Sequence, residues 1–412
     1  MKDKKQNFST KIINNRFSKP DVHGAISLPV YRNSAFEFPD SESIAAAFQY
    51  KREDHTYSRI SNPSIDNFES KIKVASNAEN VISVSSGMAA IANTFLTVAY
   101  SGSNIVTSPH LFGNTFSLFK FTLAEFGVET RFVNTDNIDE VASAVDENTC
   151  AFFAELITNP HLEIANFPEI SKIMKKRNVP VILDTTVIPW CGFDAGKCGI
   201  DIEVVSTTKY ISGGATGIGG AIIDYGTFDW SANKKLARIT NNPAGISKFM
   251  HKMRTEIARN IGSCMSPDTA SQQALGMELL QLRYEKMSEI AWQLAQYLQT
   301  NNKILNVNYP KLDTSPYKKI SDALFVGNPG AMLTVSLKDK DECFRFMDRL
   351  QVFRRATNLF DNKSLVIHPE STIYGTFSRE MKAEVGIEPN LIRISAGLEN
   401  IDDLINDIEN AL

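Results

Sequence analysis

From residue 80 to residue 225 the chain repeats short, mostly apolar runs, with helical segments between most of them. The runs are "VISVSS", "NIVTS", "VETRFVN", "TCAFFAEL", "VPVILD", "IEVVSTT" and "GAIIDY". A strand with one wet face alternates apolar and polar residues, whereas a continuous apolar strand must be covered on both faces. Parallel strands also need long crossovers, which the helical segments supply. The pattern predicts an α/β domain with a mostly parallel sheet. In such sheets functional groups gather outside the carboxyl ends of the strands.

The rest of the chain reads differently. Residues 1–60 lack sustained periodicity and read as an extended arm with little core. From "NPSIDNFESKIKVASN" onward Ile65, Phe68 and Ile72 recur at helical spacing behind Pro63, so the α/β domain is assigned to 61–262. Residues 268–299 read as one long helix. Strands follow at "ILNVNY", "AMLTVSL" and "LIRISAG", with helices at "DKDECFRFMDRL" and "NIDDLINDIENAL". This predicts a smaller α+β domain over 263–412.

Composition narrows the function classes. The 412 residues are 43% hydrophobic and 22% charged, with a net charge of −4, and no basic stripe suits nucleic acid. "MKDKKQNFSTKIINNRF" lacks the apolar stretch of a secretory signal, and no apolar run approaches a membrane span. Cys150, Cys191, Cys198, Cys264 and Cys343 show neither zinc spacing nor disulfide density, which points to free thiols in a reducing cytoplasm. The six histidines are scattered, so no metal site is expected.

Three segments could carry chemistry. In "VVSTTKYISGG" Lys209 follows an apolar strand and precedes glycines. A lysine there can be a solvated charge, or it can condense with an aldehyde if its surroundings favour the neutral amine. Ser206, Thr207 and Thr208 supply hydroxyls suited to a phosphate, or they cap a turn. In "VSSGMAAIA" Ser85, Ser86 and Gly87 stand between strand and helix, as an anion site or as an ordinary cap. Asp184 ends the strand "VILDTT", where it can cap a turn or pair with a protonated ring nitrogen. One ligand uses all three features: pyridoxal 5'-phosphate (PLP), with its aldehyde, phosphate and pyridine nitrogen. "GIGGAI" fails the dinucleotide pattern, because Ile222 takes the sixth place and a strand follows.

With "YSRISNPS", "SSGMAAI", "ELITNP", "VILDTT", "STTKYISGG", "VIHPEST" and "LIRISAGLENIDDLI" in order, the chain resembles the PLP-dependent transsulfuration enzymes of cysteine and methionine metabolism. The resemblance implies a large domain of the aspartate-aminotransferase-like fold, called fold type I. It implies Lys209 as the residue that holds the cofactor aldehyde and Asp184 on the ring nitrogen. Ser86, Gly87, Met88, Ser206 and Thr208 would surround the phosphate. Tyr57 and Arg59 would reach that phosphate from a neighbouring subunit, in a dimer that shares active sites, usually within a tetramer. Asn159 would lie near the ring oxygen, and Arg393 would grip the substrate carboxylate. From the residues alone, Arg393 can equally be a surface charge on an exposed strand face.

Two departures matter. "HLFGNTF" places Phe112 where the family has a stacking tyrosine, so the hydroxyl is lost and Tyr57 or a water takes on more proton handling. Thr185 stands where asparagine is common. "GTFDW", "NIGSCMSPDTA" and "SLVIHPEST" look most like O-acetylhomoserine sulfhydrylases, although "TNLFDN" lacks the usual glycine and "GMELLQLR" departs from the usual wording. The implied activity is γ-replacement of the aminocarboxypropyltransferase type on O-acetylhomoserine, with sulfide or methanethiol. Cystathionine γ-synthase and methionine γ-lyase are the rival reactions, and a non-enzymatic PLP-binding protein is disfavoured. Turnover requires neutral Lys209, which predicts dry, cation-poor surroundings.

Overall fold

The computed structural model describes residues 6–17, 21–49, 51–241 and 245–412. Seven strands form the large sheet: β1 Asn80–Val84, β2 Asn104–Thr107, β3 Glu129–Phe132, β4 Thr149–Glu155, β5 Val181–Asp184, β6 Ile202–Val205 and β7 Gly220–Asp224. Their order is β1-β7-β6-β5-β4-β2-β3. β7 runs antiparallel to both β1 and β6, and every other pair is parallel. The carboxyl ends of β1, β2, β4, β5 and β6 therefore share one edge. The amino end of β7 joins them there.

Each strand sends alternate side chains to opposite faces. In β4, Phe152 and Ala154 enter one apolar core while Ala151 and Phe153 enter the other. Helices Pro63–Ser76 and Phe167–Lys176 feed the first core, and helix Gly87–Val98 feeds the second. Full burial of one such phenylalanine contributes about 1.5–3 kcal/mol. The apolar runs are thus strands covered on both sides, except β3, which stands at the edge of the sheet with no fully buried residue.

Five further strands form a second sheet: β8 Asn306–Asn308, β9 Met332–Ser336, β10 Arg354–Arg355, β11 Leu365–Ile367 and β12 Leu391–Ser395, in the order β10-β11-β12-β9-β8. The pair β10–β11 is parallel and the others are antiparallel. β10 and β11 are too short to register as strands in the sequence. The segment 268–299 is two helices, Pro267–Glu278 and Leu280–Gln299, parted at Leu279. The first packs on helix Pro63–Ser76 and on the turn Tyr210–Ser212, and the second reaches β8 and β9. A one-residue break leaves composition and period unchanged, so only the two packing partners reveal it. The arm is not wholly extended: helices Phe8–Ile13 and Ser41–Phe48 form, and Ile12 is fully buried.

The functional edge depends on close backbone approach. A Cβ on Gly220 would lie 2.1 Å from the Ser86 carbonyl oxygen, where no carbon fits. Gly220→Ala is expected to lower stability by about 1–3 kcal/mol by pushing β7 off the Ser86 turn. A urea denaturation curve with unchanged slope and a lower midpoint checks it.

Candidate active site

A cavity of about 880 Å3 opens at the shared carboxyl edge. Ser86, Gly87, Met88, Phe112, Asn159, Asp184, Ser206, Thr208, Lys209 and Arg393 all line it, so ten of the residues singled out in the sequence come together. Tyr57 and Arg59 do not line it. Tyr57 is exposed, and the Arg59 guanidinium lies over its ring and donates to the Arg259 carbonyl.

The anion end is built by backbone. Ser86 caps helix Gly87–Val98, its hydroxyl accepting the Ala89 N–H at 3.0 Å. The remaining N–H groups of that first turn have no intrahelical acceptor and favour an anion. A Cβ on Gly87 would lie 2.7 Å from the Ser206 Cβ, so glycine lets the two segments close around one point. The Thr208 hydroxyl accepts the Gly219 N–H at 3.0 Å and lies 3.2 Å from the Gly219 carbonyl, bracing the glycine loop while it lines the cavity. Thr207 is fully buried and is not part of the lining.

Lys209 follows β6, and its Nζ donates to the Asn358 Oδ1 at 2.7 Å. Burial lowers its pKa from 10.5 to about 8. The positive charge of Arg393 pushes the same way, and Asp184 opposes both. The expected cation-poor surroundings are therefore corrected: a second cation stands nearby and helps to favour the neutral amine. Asp184 ends β5, accepts the Thr186 N–H at 2.9 Å and is raised by burial. A cationic ring nitrogen would hold it ionised.

Arg393 is no surface charge. It sits in β12 between β9 and β11 and is 3% exposed. Its Nη1 donates to the Asn159 Oδ1 at 3.0 Å and its Nη2 to the Asn358 carbonyl at 3.2 Å, while Nε has no partner among the described residues. Burial lowers its pKa, and no carboxylate among the described residues pairs with it. A buried guanidinium with a spare donor has the chemistry to bind a carboxylate. An amine, a helix-terminal anion cradle, a buried acid and this second anion site together fit PLP and an amino-acid substrate. Among the described residues no group of histidines, cysteines and acids could hold a metal.

Glu155 and Asn358 also line the cavity, although the sequence reading assigned neither a role. Both lie inside stretches that drew notice, "ELITNP" and "TNLFDN". The missing glycine of the second stretch has a structural counterpart in Phe360, which takes φ 58° and stacks on Tyr210 at 4.2 Å and 6°. The left-handed backbone costs about 1–2 kcal/mol, and an aromatic pair returns about 0.5–1.5 kcal/mol beyond its burial.

The sequence family described as Cys/Met metabolism PLP-dependent enzyme matches residues 9–412. The chain belongs to this family. An O-acetyl-L-homoserine sulfhydrylase of Corynebacterium glutamicum is 32% identical, with 98% of this chain and 96% of that protein covered. A Campylobacter jejuni crystal structure carrying N'-pyridoxyl-lysine-5'-monophosphate superposes with a TM-score of 0.92 at 33% identity, covering 98% of this chain and 99% of that one. The O-acetylhomoserine sulfhydrylase of Wolinella succinogenes is 38% identical with a TM-score of 0.77, covering 86% and 99%. The fold is that of the fold type I PLP-dependent enzymes, and the chain is a PLP-dependent enzyme.

Neutral amine is the form that attacks an aldehyde. The rate of PLP attachment to cofactor-free protein is therefore expected to rise as pH climbs through about 8, well below the 10.5 of an ordinary lysine. Stopped-flow absorbance across pH 6 to 10, roughly spanning that range, checks it.

Proposed function

We propose that the protein replaces the acetoxy group of O-acetyl-L-homoserine with sulfide, giving homocysteine and acetate, or with methanethiol, giving methionine and acetate. The lining of the cavity carries the choice of nucleophile. Its ionisable residues are Glu155, Asp184, Lys209 and Arg393, and burial raises the pKa of the Glu155 carboxyl to about 8; the rest, including Ile157, Val187, Ile218 and Leu359, do not ionise. Arg393 is the one cation suited to a substrate carboxylate. Within one chain, a cysteine nucleophile would bring a second carboxylate for which the lining offers no further guanidinium. The sulfhydrylase relatives support the same reading.

Arg393 grips the α-carboxylate and sets the orientation of Cα. The helix N-terminus at Gly87 and the Ser206 hydroxyl hold the cofactor phosphate. Asp184 keeps a proton on the pyridine nitrogen, and Phe112 packs as a ring without a hydroxyl. PLP, when bound, supplies the electron sink for negative charge at Cα. Lys209, about half neutral at pH 8, takes the Cα proton and returns it at the end. Burial of the amine excludes water, which would otherwise compete with the thiol.

Tyr57 and Arg59 do not line the cavity of their own chain and are assigned to that of a second copy. Active sites are then shared within a dimer, in a dimer of dimers. Five free cysteines support a reducing cytoplasm as the location. Among the described residues no helix is long and apolar enough to cross a membrane.

Purified protein given O-acetylhomoserine is expected to form homocysteine with sulfide and methionine with methanethiol. Little cystathionine is expected with cysteine, and little 2-ketobutyrate without a thiol. Cystathionine as the main product, or ketobutyrate from methionine alone, would reverse the assignment. Arg393→Lys is expected to raise KM for O-acetylhomoserine about 10- to 100-fold with a smaller change in kcat, since a point charge replaces a forked donor. Initial-rate kinetics decide it.

A further inference from the structure

We propose that Glu155 is a positioning residue whose buried carboxyl sets the ring of Phe112 and the side chain of Asn159 and, through Asn159, the guanidinium of Arg393. The role rests on the reading of this cavity as a PLP site. Glu155 is the last residue of β4, is 7% exposed and lines the cavity. Both of its oxygens are used. Oε1 accepts the Phe112 N–H at 2.6 Å, and Oε2 accepts the Asn159 N–H at 3.1 Å. These N–H groups belong to two different loops, one after β2 and one after β4.

The connection continues across the cavity. Arg393 Nη1 meets the Asn159 Oδ1, Arg393 Nη2 meets the Asn358 carbonyl, and Lys209 Nζ meets the Asn358 Oδ1. A hydrogen-bonded chain thus links the Phe112 backbone to the Lys209 amine, and Glu155 is the member that joins the two loops. The Tyr374 hydroxyl lies 2.9 Å from the Leu111 carbonyl and 3.2 Å from the Asn159 carbonyl, so it ties the same loops from another side.

The residue type follows from the geometry. Two backbone donors face one side chain, and only a carboxyl group offers them two acceptor oxygens. An amide would turn an NH2 against one of the two N–H groups. The position is costly for an acid, because Glu155 is buried and pairs in register with Asp184 on β5. An apolar side chain would fill the space without that cost but would leave both N–H groups unpaired.

Glu155→Gln and Glu155→Ala test the role against Asp407→Asn. Asp407 is also a buried acid that accepts backbone N–H groups, those of Gln351, Val352 and Phe353, and it does not line the cavity. Four readouts are taken: the unfolding temperature, the dissociation constant for PLP by equilibrium dialysis, the visible circular dichroism of the bound cofactor, and kcat and KM for O-acetylhomoserine. Glu155→Gln is expected to lower kcat/KM about 10-fold and Glu155→Ala about 100-fold. Both are expected to bind PLP more weakly and to show a reduced dichroic band. Asp407→Asn is expected to lower the unfolding temperature and leave the other readouts at wild-type values. Wild-type PLP affinity, dichroism and KM in the Glu155 variants would overturn the role, whatever their unfolding temperatures. A Glu155→Gln protein that does not fold would overturn it too, because the carboxyl would then serve the fold and not the loops. A wild-type protein that does not bind PLP would overturn the reading of the cavity itself.

Discussion

Lys209 hangs from the end of β6 with its amine largely withdrawn from water and 2.7 Å from the Asn358 side-chain oxygen. Its placement requires that the turns after β1 and β6 come almost into backbone contact, and Gly87 and Gly220 allow this by having no Cβ. The same closure brings a helix N-terminus to the cavity wall and buries much of the amine, which favours its neutral form. Amine chemistry, anion binding and sheet packing are therefore one constraint.

The second sheet supplies what the first cannot. Arg393 comes from the middle of β12, and Asn358 from the loop between β10 and β11. Both meet residues of the large sheet's edge, so the cavity has walls from the two sheets. Phe360 keeps the Asn358 loop against Tyr210, the neighbour of Lys209, in a backbone conformation that phenylalanine seldom adopts. Phe112 gives the cavity wall a ring that carries no hydroxyl.

Much of this was legible along the chain. Six of the runs became buried strands because a strand covered on both faces must be largely apolar, and that requirement is written locally; β3, at the sheet edge, is half-exposed. Lys209, Asp184 and Ser86 were legible because each stands just past such a run. Other features left no local mark. β10 and β11 are too short for any period to show, and the break at Leu279 changes neither composition nor spacing. Arg393 could be read as an exposed charge because the pattern of β12 does not reveal what covers its faces. Glu155 passed as one letter of "ELITNP", since its two partners lie 43 and 4 residues away.

The sequence by itself determined the α/β layering and the strand ends at which Lys209, Asp184 and Ser86 stand. Each of these depends on residues within a few positions of one another. The tertiary structure alone decided that Arg393 is buried with a spare donor, that it stands close enough to Lys209 to favour the neutral amine, and that Glu155 joins two loops. Those are properties of distance and burial between segments far apart in the chain, and they take a value only when the two sheets pack.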